Sequence, residues 1–404
     1  KKAAVMDRYP YAKPPRWWSP RPRRLWVNIW RPVRRRQQRR DQRVKSTAVE
    51  GLDHVRQAMR ADYGVLITPN HASHADCYLL LDALLKLRGS QYIMTAWQVF
   101  HMMAKWEQLA YRHHGCFSVD REGKDLRAFR LAVKTLAGTS DPLVVFPEGE
   151  VYHLNDRTTP FRDGTLMMAS AAIKRGNRPI ACIPCALKYF YVKDPSPELR
   201  CTTARIEASL GVKSVGKLPL AVRVERLQTE TLAWREREFL GGCREGNPAQ
   251  RRDTLVDTIL VRYERQFGIR NAAGNVPERA KQLRQHLVES GALAVSGTGA
   301  DQSASAAMED IFVAVQLYSY AFGYVSESPT IERVAETVDK LEEDVLGAPT
   351  ATVRGTRRGV VRFGNPLILN QTFDRSECQK IGEDQRARLQ SLLDGFQSRE
   401  KVPA

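Results

Sequence analysis

Long apolar runs are missing from this 404-residue chain. A helix that crosses a bilayer needs about 20 mostly apolar residues, and no stretch approaches that, so no transmembrane helix is expected. The opening residues hold no apolar block of the secretory-signal kind, which predicts a cytoplasmic protein. Cysteine is sparse and odd in number, at seven, with no framework of spacings. That pattern excludes a disulfide-stapled scaffold and suits a reducing compartment. The one C-x-x-C, Cys182 and Cys185, lies inside the strand-like PIACIPCALKYFYV and has no second pair beside it. Buried strand thiols are expected there, and no metal site. No G-x-S-x-G occurs, so the strained serine elbow of the α/β-hydrolases is absent. Negative charge is nearly missing from residues 1–45, where only Asp7 and Asp41 stand against sixteen Lys and Arg.

That block carries +14 of the net +18, and it holds Trp17, Trp18, Trp26 and Trp30, four of the seven tryptophans. Arginine interleaved with tryptophan suits an anionic bilayer surface. The cations meet lipid phosphates, and the indoles sit at headgroup depth. A solvated basic tail and nucleic-acid binding are the rival readings. The tryptophans favour the membrane, so no nucleic-acid partner is expected and the protein is read as peripherally membrane-associated. Apolar content is ordinary at 43%, and the length allows one or two domains with a sizeable core.

Along the chain, residues 1–49 form the basic segment, with a short amphipathic helix in reach around 24–45. Residues 50–195 then alternate. LDHVRQAMRADY reads as helix, GVLITP as a buried strand, CYLLLDALLKLRG as helix, QYIMTA as strand, VFHMMAKWEQLAYRHHG as one helix and CFSVD as strand. KDLRAFRLAVKTLAG (helix), PLVVFPEG (strand), TLMMASAAIKRG (helix) and PIACIPCALKYFY (strand) continue the pattern. This predicts an α/β fold: a mostly parallel central sheet flanked by helices, with chemistry gathered beyond the carboxyl ends of the strands. Residues 196–348 are helix-like, an insertion or cap, interrupted by the small, polar stretch 291–307. Residues 349–404 return to the sheet through GVVRFGNPLIL and close with a helix.

Residues 67–81, ITPNHASHADCYLLL, set ionisable groups at the seam between a strand and a helix. Ser73-His74-Ala75-Asp76 has the form of a helix start with Ser73 as N-cap, in which Asp76 only satisfies a backbone N–H and favours the positive helix end. His71 is left over. On one helix, a spacing of five residues is about 500°, so His71 and Asp76 would face apart. They meet if His71 lies in the loop before the helix and Asp76 in its first turn. Histidine changes charge near neutral pH and suits a general base, provided an acceptor orients its other ring nitrogen. His74 is read as an exposed helix-start residue, and His113 and His114 as helix C-terminal.

Asn70, His71 and Asp76 match the N-H-x-x-x-x-D motif, and with three further blocks in order the chain resembles the glycerol-3-phosphate and 1-acylglycerol-3-phosphate acyltransferases. GCFSVDR at 115–121 resembles the family's second block. VVFPEGEVY at 144–152 resembles the third, departing from it after Gly149. TPFRDG at 159–164 follows, with Arg162 in place of a lysine, and IPCALKY resembles the fourth through Pro184. The resemblance covers roughly 50–192, with FGNP at 363–366 beyond. It implies direct transfer of a fatty acyl group from acyl-CoA or acyl-carrier protein to a hydroxyl of a glycerolipid precursor such as 1-acylglycerol-3-phosphate. His71 is then the base and Asp76 its orienting partner, with no cofactor beyond the donor. It also implies that Arg121 meets an acceptor phosphate, Glu148 acceptor hydroxyls, and Gly149 a close-lying substrate, with Asn70 and Arg162 as further substrate-binding residues. Glu150 opposes a phosphate. A non-phosphoglyceride acceptor, or an inactive membrane-binding relative, is therefore the alternative.

Overall fold

The computed structural model describes residues 16–121, 123–214, 216–269, 274–291 and 302–400. Residues 1–15 of the basic segment and 292–301 of the polar break lie outside them. In chain order the first elements are α1 (Arg24–Arg40), β1 (Val44–Glu50), α2 (Leu52–Arg60), β2 (Gly64–Pro69), α3 (Asp76–Leu84), β3 (Tyr92–Ala96), α4 (Trp97–Met102), α5 (Lys105–His113) and β4 (Cys116–Val119). Then come α6 (Leu126–Gly138), β5 (Leu143–Val144), α7 (Gly164–Gly176) and β6 (Ile180–Tyr191). Seven helices follow: α8 (Ser196–Ser209), α9 (Leu220–Leu240), α10 (Pro248–Gln266), α11 (Val276–Glu289), α12 (Gln302–Tyr318), α13 (Tyr324–Glu327) and α14 (Ile331–Leu346). The chain ends in β7 (Arg357–Phe363), β8 (Leu367–Leu369) and α15 (Arg375–Glu400).

These elements fall into two compact units: an α/β unit containing Arg16–Arg121, Asp125–Asp194 and the chain from Val353 on, and a helical unit that includes Pro195–Thr352. The α/β unit holds one sheet in the order β1-β7-β6-β2-β5-β3-β4, with β8 also on β6. β6 pairs antiparallel with β7 and β8; the other five pairings are parallel. The fold class is therefore a mostly parallel, helix-flanked sheet with further helices, as the alternating pattern predicts.

β2 shows why its sequence makes a central strand. All six residues are buried, and alternate side chains serve opposite faces. Val65 and Ile67 pack with α2 and α3, while Leu66 packs with α6 and α7. The same parity sends Cys182 and Cys185 to opposite faces of β6, so this C-x-x-C is two core thiols and not a ligand pair. Ala186 and Phe190 meet Leu389, Leu393 and Phe396 of α15.

Three local expectations change. Residues 97–115 are two helices, because Ala104 is extended and the Glu107 carboxylate accepts its N–H at 2.9 Å, starting α5 afresh. β1 is a strand inside the segment read as basic surface. Of its seven residues only Val44 is buried, as befits a sheet edge with little hydrophobic signal. Trp17 and Trp18 are not free for a membrane. Trp17 packs against Phe117, and Trp18 stacks on Phe100 and donates from Nε1 to Gln108 at 3.1 Å.

Candidate active site

β2 ends at Pro69, but its neighbour β6 runs on past the last paired residue, Cys185. The polar backbone of that overhang is buried and needs partners. Asn70 supplies them at Leu187, accepting its N–H at 2.7 Å and donating to its carbonyl at 3.1 Å. Asn155 does the same at Tyr189, at 2.9 and 3.0 Å. Asn70 therefore continues the ladder with its side chain while its backbone turns away, and the turn delivers His71 at the carboxyl end of the sheet.

α3 opens at Asp76, with Ala75 at the N-cap and no side-chain cap. Ser73 is not the N-cap; its hydroxyl accepts the Ala75 N–H, at 3.3 Å. Asp76 takes both roles that the sequence poses as alternatives. Oδ2 accepts the Ser73 N–H at 3.0 Å and lies 2.8 Å from His71 Nδ1. Oδ1 accepts from the Tyr189 hydroxyl at 2.7 Å. Asp76 is fully buried, whereas the His71 side chain is 22% exposed. With Nδ1 facing a buried carboxylate, Nε2 is the ring nitrogen left for chemistry.

The loop after β5 braces this pair. Phe146 stacks on His71 with ring centroids 4.1 Å apart. Glu148 is buried, and Oε1 accepts the His71 N–H at 2.9 Å while Oε2 accepts from the Thr159 N–H at 3.0 Å and from its hydroxyl. Burial pushes the Glu148 carboxyl up to about 7, against the hydrogen bonds from Thr159 and His71. Both oxygens are thus turned to the protein. Glu148 and Asn70, expected to touch substrate, hold the His71 loop in place.

Gly149 has φ +82°, a backbone conformation that favours glycine, and a Cβ there would displace the Arg162 side chain that lies over it. Its carbonyl accepts from Arg121 Nη1 at 2.9 Å, which ties the loop after β4 to the loop after β5. Arg162 reaches across Gly149 to Glu150 at 2.9 Å. Glu150, the residue that departs from the family pattern, thereby offsets Arg162. His71, Asp76, Glu148, Gly149, Arg121 and Arg162 all gather at one end of the sheet. The sequence reading misses Tyr189, Asn155 and Thr159. Strand parity is the one available signal, since Cys185, Leu187 and Tyr189 all face the α3 side.

Sheet order and loop placement define an α/β domain with a histidine–carboxylate pair at its strand ends. Residues 31–188 match the family model described as Acyltransferase. This part of the chain is an acyltransferase domain of the glycerolipid acyltransferase family, and the protein is an O-acyltransferase. Comparison with curated proteins gives no match. Among the described residues no helix is long and apolar enough to cross a membrane.

Proposed function

We propose that the protein transfers a fatty acyl group from an acyl-CoA or acyl-carrier-protein thioester to a hydroxyl of 1-acylglycerol-3-phosphate or a close glycerolipid precursor. The observation that carries this is the 2.8 Å contact between His71 Nδ1 and the buried Asp76 carboxylate. His71 Nε2 takes the acceptor's hydroxyl proton as its oxygen attacks the thioester carbonyl. The tetrahedral intermediate then collapses and the C–S bond breaks. The thiolate leaves and recovers the proton from the imidazolium. Asp76 fixes the tautomer and stabilises that imidazolium, and no protein nucleophile is acylated. Arg121 is the cation proposed to meet the acceptor phosphate. The basic stretch before residue 50 is proposed to hold the protein at an anionic bilayer, where such acceptors reside.

A second reading has its own observation. The Arg162–Glu150 pair removes one cation from the site, which favours an acceptor without phosphate. The test is thioester-release turnover with lysophosphatidate and with monoacylglycerol, in wild type and in His71→Ala. Turnover with lysophosphatidate that vanishes in the variant supports the first reading. A preference for monoacylglycerol supports the second, and undiminished turnover in the variant removes the mechanism.

A further inference from the structure

The strongest unassigned feature of the α/β unit is a cleft of about 480 Å³ between α1, β1 and the segment following α3. Eight Arg and Lys line it against one carboxylate, Asp82. That carboxylate is already spoken for: Oδ1 accepts from Arg34 at 2.8 Å and Oδ2 from Thr47 at 3.2 Å. Arg34 is itself 95% buried, at 5% exposure, and its Nε has no hydrogen-bond partner. Arg31, Arg35 and Arg39 form a row along α1, while Lys45 and Lys86 close the cleft from β1 and from beyond α3. Cations packed this densely repel one another unless an anion joins them. Guanidinium forks match phosphate oxygens, and the volume suits a headgroup-sized ligand.

A different side of the same helix is apolar and open. Leu25, Ile29 and Val33, each four residues on, are 72%, 51% and 38% exposed, with Trp26 beside them at 37%. Next to α1, Trp106 of α5 stacks on Trp30 and is itself 46% exposed. A surface helix with one apolar row and one arginine row is built to lie in a bilayer interface. Asp76 and Asp82 are one and two-thirds turns apart on α3, so the cleft lies about 9 Å along that helix from the catalytic pair.

We propose that this cleft is a second ligand site, distinct from the acyl-transfer site, that takes the phosphate headgroup of an anionic phospholipid while the apolar row of α1 rests in the bilayer. It deepens the bilayer association proposed above and needs no turnover to be tested. Full-length protein is sedimented with vesicles of phosphatidylcholine, with or without phosphatidylglycerol. Lys45→Gln with Lys86→Gln removes two cleft cations that are not on α1. Arg36→Gln with Arg40→Gln removes two α1 cations that are outside the cleft. All four side chains are exposed, so folding should survive, and a thermal melt checks it.

Wild type is expected to bind the anionic vesicles, the cleft pair to bind them about 30-fold more weakly, and the control pair to lose about 3-fold. If both pairs weaken binding equally, general basicity suffices and the cleft is not a site. If wild type binds neither vesicle, the bilayer association falls with it. Soluble glycerol phosphate that displaces the protein as well as the vesicles do would overturn the lipid assignment, as would tighter retention on a DNA duplex.

Discussion

The two units hold several of their carboxylates differently. In the helical unit three glutamates each meet an arginine fork, while Glu342 accepts from the Thr352 N–H and hydroxyl and Glu336 from the Tyr324 hydroxyl. Arg223 binds Glu207 at 2.9 and 2.8 Å, Arg251 binds Glu236 at 3.0 and 2.6 Å, and Arg279 binds Glu264 at 2.7 and 2.9 Å. Around His71 in the α/β unit, Asp76 and Glu148 are as buried, but among the described residues neither has an arginine or lysine partner. They are held by backbone N–H groups, hydroxyls and the imidazole. Burial alone would raise all these carboxyls. The forks nevertheless hold Glu207 and Glu236 below their ordinary value, while Glu148 rises to about 7. A neutralised pair fixes packing and titrates outside the working range. Asp76, with no arginine or lysine partner among the described residues, leaves its carboxylate available to His71, as the proposed mechanism requires.

The comparison breaks most directly at His71. His71→Ala should lower kcat by about 10²–10⁴-fold in a thioester-release assay, with the unfolding midpoint in urea little changed. A comparable loss of stability would make the pair a packing device like those of the helical unit. There the expected effect is on stability. Arg223→Met leaves Glu207 buried and unpaired, at a cost of about 3–5 kcal/mol in urea unfolding followed by circular dichroism. Adding Glu207→Leu should recover most of that. A double variant as unstable as the single would mean that the fork itself stabilises the fold.

The pH dependence sharpens the contrast, because Glu148 and Glu207 slope in opposite directions. The folded value of Glu148, about 7, lies above its ordinary 4.5. Its contribution to stability is complete below pH 4.5 and is lost as pH rises through about 7. The shift corresponds to a loss on the order of 3 kcal/mol. Glu207 is held below its ordinary value, so its contribution is present above pH 4.5 and is lost as pH falls below that. Urea unfolding across this range, in wild type and Glu148→Gln, should show a falling component present only in the wild type. Parallel curves would mean that Glu148 is not raised.

What the sequence revealed follows from how local each signal was. β2 was legible to the residue, because six apolar or small positions end at a proline. The loop-then-helix placement of His71 and Asp76 followed from their spacing and from Pro69. β1 left almost no trace, since an edge strand buries little. Glu148 and Asn70 read as substrate ligands because their motifs carry no record of which way the side chains turn. The Glu150–Arg162 pair spans a loop that spacing alone does not close. Tyr189 stands 113 residues from Asp76, and their meeting depends on sheet order, which one sequence does not display.

Tyr189 also carries the smallest expected effect. Its hydroxyl donates to Asp76 Oδ1, and burial, reinforced by the Asp76 charge, pushes the phenol well above its ordinary value, so it remains a donor throughout the working range. Tyr189→Phe keeps the ring and removes that donor, leaving Asp76 to Ser73 and His71. A hydrogen bond to a charged group is worth about 1.5–3 kcal/mol, and part of that should reappear as a stronger carboxylate–imidazolium attraction. The expected outcome is a fall in kcat of about 10-fold with KM nearly unchanged. A role in packing alone would lower stability while leaving kcat unchanged. Full turnover in the variant would show that two partners suffice for Asp76, and that the hydroxyl serves β6 instead.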